Sequence, residues 1–273
     1  MTCVRDLLQQ TALPRLEVQM LLQHVLQVPR SWLIAHDTDV LDPVRVTSFL
    51  ALVQRRHAGE PMAYLLGVRE FMGHDFRVTP DVLIPRPDTE VLVETAIAFI
   101  NQVTHVPVRV LDLGTGSGAI AVSMALACPQ AQVVATDFSL AALEIARQNA
   151  QALNAQVEFF YGSWFDALPV EMAAFDLIVS NPPYIHSADL HLAQGDLRFE
   201  PATALTDGFD GLQDLHTIIS GAGRWLRPGG SLWLEHGWDQ AQAVREALVN
   251  AGFKRVESLT DLAGIERISG GYL

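Results

Sequence analysis

Residues 108–127 read VRVLDLGTGSGAIAVSMALA, an apolar run, five residues of which three are glycine, and a second apolar run. The first six residues have the length and β-branched content of a buried strand. AIAVSMALA (119–127) has the length of a buried crossover helix, well short of the ~18 apolar residues of a membrane span. A strand, a tight glycine turn and a helix in that order form the first half of a βαβ unit, so this stretch points to a parallel sheet.

The same alternation continues on its C-terminal side. AQVVATD (131–137), VEFFYG (157–162), FDLIVS (175–180) and SLWLEHG (231–237) read as strands, with helical stretches such as SLAALEIARQNAQAL (139–153) between them. This predicts a doubly wound α/β domain. A helix around 238–250 is followed by FKRVES (253–258) and ERISGGYL (266–273), joined by too short a connection to cross over, so the last strand is expected to be antiparallel.

Upstream, the pattern is helical to about residue 70: MLLQHVL (20–26) places its apolar residues on one face, and Asp42-Pro43 offers an N-cap followed by proline at the first helical position. FMGHDFRVTPDVLIPRPDTE (71–90) reads as a short hairpin running into a proline-bearing linker. The expected plan is a helical domain over 1–72, a β-hairpin linker over 73–88 and the α/β domain over 89–273.

Of the 273 residues 49% are apolar and 18% charged, a globular composition, and the formal net charge is −13. An acidic balance argues against a protein that grips nucleic acid by neutralising phosphates. Two cysteines, Cys3 and Cys128, provide no disulfide framework or thiolate metal knuckle. The start, MTCVRDLLQQ, lacks the apolar run of a signal peptide, so a cytoplasmic location is expected.

Ligands of open parallel sheets sit outside the carboxyl ends of the strands. The first such end carries Asp112-Leu113-Gly114-Thr115-Gly116-Ser117-Gly118, where glycines let the backbone approach a ligand closely, and the second ends in Asp137, whose carboxylate can accept from both ribose hydroxyls of an adenosine. A ligand-free tight turn is the bland alternative. The G-x-G-x-G spacing favours S-adenosylmethionine over a dinucleotide, which usually goes with G-x-G-x-x-G; hydride transfer stays open at this point.

FDLIVS stops in Asn181-Pro182-Pro183-Tyr184. Prolines cannot donate to a sheet ladder, so they end the strand and hold the following chain extended. An ordinary turn would need no more than the prolines. All four residues together suit the orientation of a planar amino group: the Asn181 side chain and a backbone carbonyl of Asn181 or Pro182 accept its two N–H bonds, and Tyr184 stacks on its plane. His186, His191 and His236 show no catalytic spacing and are expected to be structural or on the surface.

GEPMAYLLGVREF (59–71), LIPRPDTE (83–90), DLGTGSGAIA (112–121), SNPPYI (180–185), QGDLRFEP (194–201) and LEHG (234–237), in this order, resemble the peptide chain release factor glutamine methyltransferases, the PrmC/HemK family. The resemblance implies a Rossmann-like class I methyltransferase domain with a mostly parallel seven-stranded sheet, and transfer of a methyl group from S-adenosylmethionine to the glutamine nitrogen of the Gly-Gly-Gln motif of class I release factors, leaving S-adenosylhomocysteine. It assigns Gly114, Thr115, Gly116, Ser117, Gly118, Asp137, Trp164 and Asn181 to the cofactor, and Asn181, Pro182, Pro183 and Tyr184 to the substrate amide. Release factor is then the protein partner of a monomer that needs no direct nucleic acid and no membrane. The alternative is a methyltransferase for an exocyclic amino group of a nucleic-acid base, which would bring an unstacked base to the same motif.

Overall fold

The computed structural model describes residues 2–273. The chain divides into two compact units, 1–68 and 69–273.

The first unit is helical: Val4–Gln9, Arg15–Leu26, Arg30–Ala35, Pro43–His57 and Met62–Leu66. The Asp42 carboxylate accepts from the Val44 N–H at 2.8 Å, capping the helix that Pro43 opens. Leu7, Leu21, Leu22, Leu33 and Phe49 form its dry centre, each at most 2% exposed. The Arg56 guanidinium and the Glu17 carboxylate pair through two hydrogen bonds, of 2.8 and 2.9 Å.

A two-stranded hairpin follows, β1 (Val68–Phe71) and β2 (His74–Arg77). It comes earlier than the expected 73–88. Residues 78–86 form no strand, and the chain enters the helix Glu90–Gln102 through a single turn at Pro87–Thr89. β1 escapes a sequence reading because its four residues follow at once on the helix MAYLL, which Gly67, with φ +73°, closes.

The large sheet contains β3 (Val108–Leu113), β4 (Ala131–Asp137), β5 (Val157–Tyr161), β6 (Phe175–Ser180), β7 (Leu226–Glu235), β8 (Lys254–Thr260) and β9 (Glu266–Tyr272) in the order β5-β4-β3-β6-β7-β9-β8. The five strands from β5 to β7 are parallel, and β9 is antiparallel to both neighbours. Every residue of β6 is buried, as a central parallel strand covered on both faces requires. β7 begins at Leu226, five residues before the expected start, because Arg227-Pro228-Gly229-Gly230 interrupts its apolar pattern without ending the strand.

The chain winds outward from β3 to β5, then returns to lay β6 on the other side of β3. The reversal creates a crevice at the carboxyl ends of β3 and β6, where doubly wound sheets bind ligands. Leu113 is in register with Ser180, and Ser180 with Leu234. The next residues, Gly114, Asn181 and Glu235, therefore stand side by side on adjacent strand ends.

Candidate active site

The glycine loop is held by backbone bonds to the neighbouring strand: the Gly114 and Thr115 N–H groups both donate to the Thr136 carbonyl, each at 2.9 Å. Asp137 closes it from the side, its two oxygens accepting the Gly116 and Ser139 N–H groups at 2.8 Å each. Burial raises the Asp137 carboxyl, and these backbone bonds oppose the rise. Each carboxylate oxygen keeps a lone pair for a further donor.

Below the loop Asp112 is fully buried, accepts the Thr115 hydroxyl at 2.7 Å, and is pushed by burial up to about 7.

The three glycines do different things. A Cβ on Gly114 would meet the Trp164 ring at 3.1 Å. On Gly116, with φ +56°, it would meet nothing within 4 Å, because this position opens onto the crevice. On Gly118, with φ +81°, it would sit 3.1 Å from the Ala146 side chain. Gly118 thus packs two helices together and does not line the cavity, contrary to its expected place among the cofactor contacts.

The crevice is a cavity of about 350 Å³, lined by Gly114 to Ser117, Asp137, Phe138, Trp164, Asn181 and Pro183 together with Leu83, Arg86 and Thr89. A smaller cavity of about 70 Å³ adjoins it, lined by Asn181, Pro182 and Tyr184 with Leu83, Arg86, Leu197 and Ala204. Asn181, Leu83, Arg86 and Ala204 belong to both. Pro182 and Tyr184, expected to share one pocket with Pro183, face only the smaller cavity. The segment 186–211, which lacks a regular pattern in the sequence, forms two short turns and the helix Ala202–Leu205, and its Leu197, Ala204 and Leu205 help to wall that cavity.

The Asn181 amide nitrogen donates to the Thr89 hydroxyl at 3.3 Å, which leaves the amide oxygen as the free acceptor. The Tyr184 hydroxyl donates to Glu235 at 3.1 Å, and burial raises its phenol well above the usual range. Glu235 itself is buried, and burial pushes it up to about 7.

Arg86 pairs with the wholly buried Glu200 carboxylate, whose other oxygen accepts the Ile84 N–H at 3.0 Å. Burial raises the Glu200 carboxyl despite the opposing pull of Arg86. Neither Arg86, Glu200, Thr89 nor Glu235 stands out by spacing; only their blocks, LIPRPDTE, QGDLRFEP and LEHG, drew attention to them.

His236 is buried, its ring nitrogens at 2.9 Å from the Gly237 carbonyl and 2.7 Å from the Ser269 hydroxyl, a structural role. His186 and His191 bond to neighbours two residues away on exposed turns.

A crevice at the strand reversal, a glycine loop with a position open to the ligand and a carboxylate at the second strand end define a class I methyltransferase. Residues 89–204 match the methyltransferase small domain family and residues 2–67 the PrmC N-terminal domain family. Release factor glutamine methyltransferases from Bordetella pertussis and Burkholderia pseudomallei are 62% and 52% identical to this chain, over 100% and 98% of it and 100% and 95% of their own lengths. A crystallised methyltransferase from Pyrococcus furiosus shares the fold, at 20% identity and a TM-score of 0.51 over 82% of this chain and 96% of its own. The chain belongs to the release factor glutamine methyltransferase family. It is an enzyme, and its methyl donor is S-adenosylmethionine.

Proposed function

We propose that the enzyme methylates the side-chain nitrogen of the glutamine in the Gly-Gly-Gln motif of class I release factors. The observation that carries this is the place of Asn181 at the junction of the two cavities, its amide oxygen free to accept. The larger cavity fits the cofactor, with Gly116 leaving room for it, Asp137 accepting from the ribose hydroxyls, and Gly114 to Ser117, Trp164 and Asn181 around it. When bound there, the cofactor supplies an electrophilic methyl on a sulfonium. The smaller cavity takes the glutamine amide.

An amide nitrogen is a poor nucleophile because its lone pair is delocalised into the carbonyl, so the site must orient and polarise it. The Asn181 side-chain oxygen and the Pro182 backbone carbonyl accept the two N–H bonds, and Pro182 and Pro183 hold these acceptors in an extended chain. Tyr184, fixed at its hydroxyl, gives the amide plane a wall. Placing nitrogen and methyl in line at about 3 Å lowers the barrier by several kcal/mol through positioning alone. No strong base is required before transfer, and the extra proton leaves afterwards.

A site made of acceptors also sets specificity. Glutamate in place of glutamine would bring a carboxylate against oxygens, and mismatches of this kind discriminate by roughly 10⁴-fold. Labelled S-adenosylmethionine offered in parallel to release factor, to its Gln→Glu variant, to RNA and to DNA tests the reading. Label is expected on release factor alone. Label on nucleic acid with none on release factor would establish the base methyltransferase instead.

A further inference from the structure

Behind Asn181 stand three linked polar groups, those of Thr89, Tyr184 and Glu235. Glu235 ends β7 beside Asn181 and is 1% exposed. Its Oε1 accepts the Tyr184 hydroxyl at 3.1 Å, while Oε2 is buried without a closed hydrogen bond. The Thr89 hydroxyl, itself buried, is near enough to this carboxyl group to favour its charged form, although no hydrogen bond between the two is closed. The Thr89 oxygen in turn accepts from the Asn181 amide nitrogen at 3.3 Å.

The direction of these bonds matters more than their number. An ionised carboxylate only accepts, and a hydroxyl has one hydrogen to give. When Thr89 commits its hydrogen to Glu235, its oxygen can only receive, and the one end of Asn181 able to give is the NH₂. The opposite end, the amide oxygen, must then face the junction of the cavities.

We propose that Glu235 is a positioning residue which, as a carboxylate, fixes the direction of the Thr89 hydroxyl and through it holds the Asn181 oxygen toward the substrate nitrogen. Through the Tyr184 hydroxyl it anchors the other end of the same Asn-Pro-Pro-Tyr turn. The proposal rests on the site reading above.

A protonated Glu235 can donate to the Thr89 oxygen, which frees the Thr89 hydrogen and lets Asn181 turn its NH₂ to the junction, where it would repel the substrate's own N–H. Burial pushes the Glu235 carboxyl up to about 7, the Thr89 and Tyr184 hydroxyls oppose this, Asp88 adds to it and Arg267 opposes it. Arg267 is itself engaged by Asp261 at 2.8 Å and Asp88 at 3.4 Å.

The test combines turnover with a signal independent of turnover. In the full-length enzyme kcat is expected to rise with pH through about 7, the value of Glu235. Glu235→Gln should flatten this rise and lower kcat at least about tenfold, the effect of one misdirected hydrogen bond, with the Kd for S-adenosylmethionine unchanged. Thr89→Val should lose as much as Glu235→Gln, the double variant no more than either, and Thr89→Ser should recover most of the loss. The Asn181 side-chain ¹H–¹⁵N signals should titrate near neutral pH in the wild type and not in Thr89→Val.

Unchanged kcat and pH profile in Thr89→Val, or Asn181 signals indifferent to pH in the wild type, would overturn the relay. If Glu235→Gln does not fold, the Thr89 pair carries the test. Wild-type enzyme that methylates no glutamine would defeat the site reading, and the Asn181 titration would still report on the relay.

Discussion

Asp112 lies under the glycine loop with no solvent contact, and burial pushes its carboxyl up to about 7. An unfolded aspartate titrates near 3.9. Below about pH 4 both states hold the proton and the group contributes nothing to stability. From there to about 7 the folded state retains a proton that the unfolded state has released, so stability falls as pH rises, and above 7 the full penalty persists. Asp112→Asn keeps an acceptor for the Thr115 hydroxyl and removes the penalty. The stability difference between variant and wild type, measured by denaturant unfolding of the cofactor-free protein, should grow in the variant's favour between pH 4 and 7, on the order of a few kcal/mol. A difference that does not change with pH would contradict this. At the same scale, Gly114, Asp137 and Asn181 are legible in the sequence because each ends or directly follows a recognisable strand. Thr89, Arg86, Glu200 and Glu235 are not, because their meaning lies in partners 92, 114 and 51 residues away.

At the scale of elements, the Asn-Pro-Pro-Tyr turn is fixed from outside by Gly211. With φ +80°, this residue lies so close that a Cβ would sit 2.1 Å from the Tyr184 carbonyl oxygen. The Gln240 amide nitrogen bridges the two, donating to the Tyr184 carbonyl at 3.0 Å and the Gly211 carbonyl at 3.3 Å. Gly211→Ala must push the turn away or break this bridge, and a displacement of about 1 Å in a positioning site costs on the order of 100-fold in rate. Turnover of the alanine variant should fall accordingly; undiminished turnover would show that the turn has other restraints. The alternating strands and helices of the α/β unit were readable because each apolar run is bounded by turn residues or charge. The bounds of the hairpin and the start of β7 are not readable, since β1 follows the helix at Gly67 without a break and Pro228-Gly229-Gly230 resembles a strand's end while the ladder passes through it.

For the whole molecule, all residues lining the two cavities belong to the unit 69–273, which has hydrophobic clusters of its own. No described residue of the helical unit lines either cavity, and we propose that it helps to dock the release factor. Deleting residues 1–68 should leave S-adenosylmethionine binding intact by calorimetry and slow the methylation of whole release factor at least about tenfold, or about 1.4 kcal/mol of docking energy. Equal rates on whole release factor would make the unit a structural cap. Among the described residues no helix is long and apolar enough to cross a membrane. The net charge of −13 favours an amide on a protein over a base on nucleic acid, whose exocyclic amino group would suit the same acceptors. On the proposed reading, this site selects one nitrogen. Fragmentation mass spectrometry of full-length release factor after reaction with S-adenosylmethionine locates the transferred methyl group most directly. A single methyl on the side-chain nitrogen of the Gly-Gly-Gln glutamine, lost with Asn181→Ala enzyme, is the predicted result; a methyl on any other residue, or an unmodified glutamine, would contradict the account.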